Sequence, residues 1–382
     1  MSAPSLRPRL QLLTLAGLHG YADLVGSLLP GFLPALLPRF HISLGTAALL
    51  ICCVGIGSNL LQVPLAAATR HRRHPGWLLF GMGACSLVVL FSALPGTTPL
   101  WALCLLLLTI GAGIALIHPL ALRGVAGLNG IHPMTATPVF MIGGFTGFAA
   151  APFVGAVLVE RFGFPGLLWL LLPAALLAAA TLGAKLNLAE GSGGGGRTLI
   201  PDPRHWSFRR LMVLSFFLNT GTLTVQSLLP TRLVDLGYSL TFGGFRSMLF
   251  GLGSSAGSLL AGHLAKRYGS GTLVIAGLSI GTPLTLACLC APGASFLPPF
   301  LVLAGMTAAA SFPLIVAMAG SLPGGGDLGT RLAWLVGGTW GAAGLAFLLI
   351  GQLADAFGSG VILLATAFYA AALASALVPG RR

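Results

Sequence analysis

The sequence predicts an all-α membrane protein of twelve transmembrane helices arranged as two six-helix pseudo-repeats. Three observations lead there. Of 382 residues, 56% are apolar and only 7% charged, against roughly a quarter charged in soluble domains. The apolar residues fall into continuous runs of about 20, the length needed to cross the hydrocarbon of a bilayer. The second half of the chain also echoes the first at a nearly constant offset. This composition excludes a soluble globule and a disordered chain, and the 55 glycines follow no collagen-like period.

In order, the predicted spans are 10–37, 44–68, 76–94, 99–122, 136–159 and 165–184, then 211–231, 242–264, 270–290, 297–320, 328–354 and 360–378. The first follows Arg7 and Arg9; it is too long for a signal peptide, lacks a small-residue cleavage site, and is expected to stay as the first helix. The second stops at Thr69-Arg70-His71-Arg72-Arg73-His74-Pro75 and the third at Pro95-Gly96-Thr97-Thr98. Arg123 stands near the end of the fourth, Lys185 after the sixth, and Lys266-Arg267 after the eighth. Continuous rather than alternating runs argue against a β-barrel.

Net charge is +13, yet its distribution speaks of topology rather than of nucleic acid. With the N-terminus in the cytoplasm, 16 of the 20 Lys and Arg fall on the cytoplasmic side, leaving Arg39, Arg161, Arg232 and Arg246 near the other. This positive-inside bias implies both termini inside, with the lipid bilayer as partner and no nucleic acid. Cys52, Cys53, Cys85, Cys104, Cys288 and Cys290 all lie within spans, without metal spacing, and read as small core residues. No metal or cofactor is expected. With no nucleophile–base pair in the sequence, neither is an enzyme.

The repeat shows in four matches. Ser27-Leu28-Leu29-Pro30 recurs as Ser227-Leu228-Leu229-Pro230, at an offset of 200, and Gly55-Ile56-Gly57-Ser58 as Gly251-Leu252-Gly253-Ser254, at 196. His118-Pro119-Leu120 matches Phe312-Pro313-Leu314 at 194; Glu160, Phe162 and Gly163 match Asp355, Phe357 and Gly358 at 195. An even number of helices per repeat keeps the halves in the same orientation, related by an axis along the membrane normal. The expected organisation is an N-terminal bundle, 1–184, a linker, 185–210, containing Gly191-Ser192-Gly193-Gly194-Gly195-Gly196, Pro201 and Pro203, and a C-terminal bundle, 211–382. Two bundles on a flexible tether can rock against each other, the architecture of a transporter.

Particular residues narrow this further: His19 and Asp23 followed by Leu28-Leu29-Pro30; Gly111-Ala112-Gly113 with His118-Pro119 and Arg123; Phe140-Met141-Ile142-Gly143-Gly144 with Gly147 and Pro152; and Ala319-Gly320-Ser321 with Pro323-Gly324. On these the chain resembles the major facilitator superfamily over nearly its whole length, and more narrowly the fosmidomycin-resistance branch of bacterial efflux proteins. The resemblance implies the major facilitator fold and proton-antiport export of small molecules.

Departures from the family pattern are informative. The loop between helices two and three normally carries a Gly and, four residues later, an Asp; here the positions read Ala66 and Arg70. The second copy, Gly262-His263-Leu264-Ala265-Lys266-Arg267-Tyr268-Gly269, has Lys266 in the acid's place. That acid latches one conformational state by pairing with basic groups and a helix N-terminus. Its loss from both copies implies altered gating, with Arg70, Arg123, Lys266 and Arg267 as gating candidates and Glu160 or Asp327 as a replacement latch. Helix five reads Gly147-x-x-x-Ala151-Pro152-x-x-Gly155, similar to the antiporter glycine–proline motif, and implies a thin, kinked face for close packing.

A carboxylate inside a membrane is expensive and usually functional. Glu160, Glu190, Asp202, Asp235, Asp327 and Asp355 fall in loops or at helix ends, leaving Asp23 as the one acid well inside a span. His19, four residues earlier, shares its helix face. Such a pair can take up a proton and release it as access alternates. His118 joins them as a proton relay or substrate ligand, beside Pro119, whose missing donor can kink helix four. The resembled branch has an acid just after this His-Pro, where Leu120 stands here. A purely structural hydrogen bond is the alternative for each imidazole. The repeat sets Asn219, Leu223 and Phe312 opposite His19, Asp23 and His118. The second half thus offers an uncharged wall, with Asn219, Gln226, Trp334 and Trp340 as substrate-binding candidates for a small amphipathic molecule; helix packing and interfacial tryptophans are the alternative.

The expected activity is a proton-coupled secondary transporter exporting a small amphipathic molecule or drug by alternating access, as a monomer whose partners are that molecule and protons. The same residues would serve proton-symport uptake of an organic solute. The missing loop acids also fit a transport-inactive scaffold or sensor.

Overall fold

The structure, a computed structural model, describes residues 6–69, 71–186, 188, 206–322 and 328–378. Arg70, Asp327, Pro323-Gly324, Arg381, Arg382 and most of segment 185–210, with Glu190 and Asp202, lie outside the described residues. Among the described residues every regular element is a helix.

In chain order the helices are α1 Arg7–Phe40, α2 Leu44–Ala68, α3 Gly76–Ser92, α4 Leu100–Ala126, α5 Thr135–Phe162 and α6 Phe164–Gly183, then α7 Phe208–Asp235, α8 Leu240–Tyr268, α9 Ser270–Cys290, α10 Pro298–Ser321, α11 Arg331–Phe357 and α12 Ser359–Leu377. Eleven of these are long and apolar enough to span a membrane; α3 is the shorter exception to the twelve expected. It stops ahead of Pro95-Gly96 and ends in a six-residue 3₁₀ segment, Leu87–Ser92, after eleven α-helical residues, Gly76–Ser86. The steeper 3₁₀ rise brings its length to about 28 Å, close to the hydrocarbon thickness.

The first span is not one continuous helix. It runs as Leu6–Gly26, breaks at Ser27-Leu28, and resumes as Leu29–Phe40. Pro30 has no N–H to give the Gly26 carbonyl, and the chain restarts with Gly31 N–H on the Leu28 carbonyl at 3.0 Å. The matching Ser-Leu-Leu-Pro in α7 leaves that helix unbroken from Phe208 to Asp235. Gln226 stands there where α1 has Gly26, and glycine is the poorer helix former. The repeat is also visible at two corners. Gly163 and Gly358 sit at φ 64° and 73°, closing α5 and α11, and each is followed by a 3₁₀ turn.

Small residues set the packing. Helices α1 and α5 touch backbone to backbone: a Cβ on Gly147 would overlap the Gly20 carbonyl, and one on Gly143 the Ala16 carbonyl. The first six helices meet the last six through α2 against α11, α5 against α8, and the Leu29–Phe40 part of α1 against α7 and α8. Between them lies about 460 Å³ of empty space, part of it open to solvent.

Candidate functional site

Asp23 stands at the inner end of the first part of α1, a turn before its break. One carboxylate oxygen, Oδ2, is 3.3 Å from His19 Nε2; the other, Oδ1, is 3.0 Å from His118 Nε2 on α4. His19 is buried, and its Nδ1 bonds the Phe140 carbonyl of α5 at 3.0 Å. A carbonyl accepts only, so Nδ1 carries the hydrogen. The His19 ring stacks on Phe140 with centroids 4.2 Å apart and meets the His118 ring edge-on at 5.0 Å. Gly144, one turn along α5, leaves the room for this: a Cβ there would overlap both the His19 imidazole and Asp23 Oδ2.

The arrangement has a chemical consequence. With Nδ1–H of His19 committed to a carbonyl, Nε2 is the nitrogen that gains or loses a proton. Deprotonated Nε2 and a carboxylate oxygen are both acceptors, so their 3.3 Å contact is satisfied by a proton between them. Among the described residues no lysine or arginine enters these contacts. The ligand atoms of His19, Asp23 and His118 lie within 4.8 Å of one another, a spacing that would also admit a divalent cation.

The other sequence-derived candidates are dispersed. Gln226 and Trp340 line the central space with Ser27, Pro30, Phe148 and Ser227. Gln226 Oε1 accepts from the Ser247 hydroxyl at 2.6 Å, while its Nε2 has no partner among the described residues. Asn219 is buried and donates to Thr339 Oγ1 at 2.9 Å. Trp334 is 62% exposed, with its ring over Gly338 rather than at the central space. Arg123 donates to the Thr69 carbonyl at 2.9 Å, tying the end of α4 to that of α2 within the first six helices. Lys266 and Arg267 are exposed at the end of α8, Arg267 lying 5.2 Å over the Tyr268 ring.

Sequence reasoning missed the Phe140 carbonyl and the role of Gly144. The run Phe140-Met141-Ile142-Gly143-Gly144 carried the signal, as glycines on an otherwise bulky face, without saying what they admit.

A family model described as Major Facilitator Superfamily matches residues 15–294. The chain belongs to the major facilitator superfamily. Curated relatives include the uncharacterized MFS-type transporter YfnC of Bacillus subtilis (strain 168), 25% identical over 92% of this chain and 88% of the relative. The fosmidomycin resistance protein of Escherichia coli (strain K12) is 25% identical over 88% of this chain and 84% of its own. Among solved structures, a bacterial homolog of the human lysosomal transporter Spinster, inward-facing and occupied, superposes with a TM-score of 0.78 at 14% identity, covering 96% of this chain and 95% of the other. The nucleoside transporter NupG gives 0.68 at 16% identity over 96% and 98%. The chain is thus a multi-pass membrane transporter of the superfamily and not an enzyme.

Proposed function

We propose that the chain is a proton-coupled exporter of a small amphipathic molecule, working by alternating access between two six-helix domains, 1–184 and 211–382, joined by the linker 185–210. Asp23 carries the proton, His19 tunes it through its bond to Phe140, and His118 relays the proton or meets the substrate. Gln226 and Trp340 contact the substrate from the second domain. The termini face the cytoplasm of a bacterial inner membrane, and one copy suffices. A single observation carries this reading: an aspartate inside a span, held by two imidazoles and, among the described residues, by no permanent cation, so that it can be neutralised and restored as access changes. The fosmidomycin resistance protein among the relatives supports export as the direction.

Reconstituted protein under an imposed pH gradient tests it. Substrate flux should follow the gradient, and Asp23→Asn should reduce that flux to the background of empty vesicles while leaving membrane insertion intact. Gradient-driven flux by Asp23→Asn at the native rate removes Asp23 from the mechanism. Flux that follows a zinc or nickel gradient, and not pH, would replace the proton by a divalent cation at the same three side chains.

A further inference from the structure

Two acids outside the central site meet helix starts across the middle of the molecule. Asp355, two residues before the end of α11, accepts the Gly45 N–H on Oδ1 at 2.9 Å and the Ser43 hydroxyl on Oδ2 at 2.7 Å. Ser43 is itself the N-cap of α2, accepting from Thr46 N–H at 3.2 Å. Glu160, two residues before the end of α5, accepts the Thr241 N–H on Oε2. Ser239 caps α8 in turn, accepting from Phe242 N–H at 3.1 Å.

These contacts are copies of one another. Ser43 corresponds to Ser239 and Gly45 to Thr241 at an offset of 196, and Glu160 to Asp355 at 195. Each acid takes the same N–H, the second of its helix, and each reaches across: Glu160 from the first six helices into α8, Asp355 from the last six into α2. The first turn of a helix presents unpaired N–H groups and partial positive charge, so a carboxylate is the favoured partner there. At position 45 the approach needs glycine, because a Cβ would overlap Asp355 Oδ2. The opposite face of the molecule has lost its family acids, with Lys266 in the place of one.

We propose that Glu160 and Asp355 are positioning residues of the transport cycle: a reciprocal pair of caps that holds shut the face where α5 and α11 end, and that must release for the central space to open there. The proposal rests on the alternating-access part of the function above and not on its proton site. It is read by accessibility rather than by flux, so either can fail without the other.

Ser27→Cys puts a thiol in the lining of the central space. Labelling of that thiol by a membrane-impermeant maleimide, in intact cells and in inverted vesicles, measures opening to each face; the chain without Ser27→Cys supplies the background. Glu160→Ala combined with Asp355→Ala should raise labelling from the face of the α5 and α11 ends about tenfold and lower it from the other face, with each single variant intermediate. Thr241→Pro removes the N–H that Glu160 accepts while leaving Glu160 in place, in a first helical turn where proline is tolerated, and should match Glu160→Ala. Unchanged labelling from both faces in the double variant, at native amounts of inserted protein, overturns the proposal. Where the double variant does not insert, an unchanged Thr241→Pro overturns it alone.

Discussion

On α1, His19 bonds the Phe140 carbonyl of α5. On α7, Asn219 takes the matching place and donates to Thr339 of α11, whose hydroxyl donates to the Leu335 carbonyl at 2.5 Å. Thr339 corresponds to Gly144, and Leu335 to Phe140, at the repeat's offset of 195. One scaffold therefore serves two chemistries. In the second half the neutral bridge is complete, and Leu223 and Phe312 hold the repeat positions of the acid and the second imidazole. In the first half the threonine is a glycine, and the vacated space admits the His19 imidazole and the Asp23 carboxylate, whose other oxygen meets His118. Where one half has a threonine in a neutral polar joint, the other has a glycine beside an ionisable cluster.

The comparison can be broken by exchange. Importing the second-half residues together, as His19→Asn, Asp23→Leu and His118→Phe, should reduce proton-driven flux to background without loss of stability, since neutral or apolar replacement of a buried charged cluster is often neutral or stabilising. Gradient-driven flux that survived in this triple variant would show that charge at the first joint is dispensable. The reverse exchange, Leu223→Asp, places a carboxylate with no imidazole beside it and should cost about 3–5 kcal/mol, read as a lower unfolding midpoint in detergent. Gly144→Ala overpacks the site against His19 and Asp23 and should cost about 1–3 kcal/mol together with slower transport. The smallest effect is expected of Asn219→Ala, about 1 kcal/mol, with pH-driven flux retained; a loss of coupling there would give the second half a part in proton movement.

Much of this was legible before any coordinates. Apolar run lengths and charge placement mark the spans because a bilayer imposes both, and the His19–Asp23 pair follows from a spacing of one helical turn. His118 entered only through its proline and the family resemblance, since nothing local says that α4 faces α1. The Phe140 carbonyl was beyond reach: every residue offers a backbone acceptor, and only the glycine-lined α1–α5 contact selects this one. Asp355 read as a loop acid because its partners, Ser43 and Gly45, stand more than 300 positions away. Aromatic character alone points to Trp334 as readily as to Trp340, whereas among the described residues the cavity-lining tryptophan of this helix is Trp340. The break in α1 was missed because an apolar run containing proline looks the same whether the helix bends or stops.

That break joins two segments with different company. Leu6–Gly26 packs against α3, α4, α5 and α6, whereas Leu29–Phe40 packs against α2 and α5 and reaches α7 and α8. On the proposed alternating access, the outer segment would be pulled by both halves and the inner one by its own side alone, and torsion would gather at Ser27-Leu28. Asp23 lies one turn inside that point, at the short arm of a lever. A few degrees of hinge motion there would alter the distance between carboxylate and imidazole, so that geometry and protonation change in a single movement.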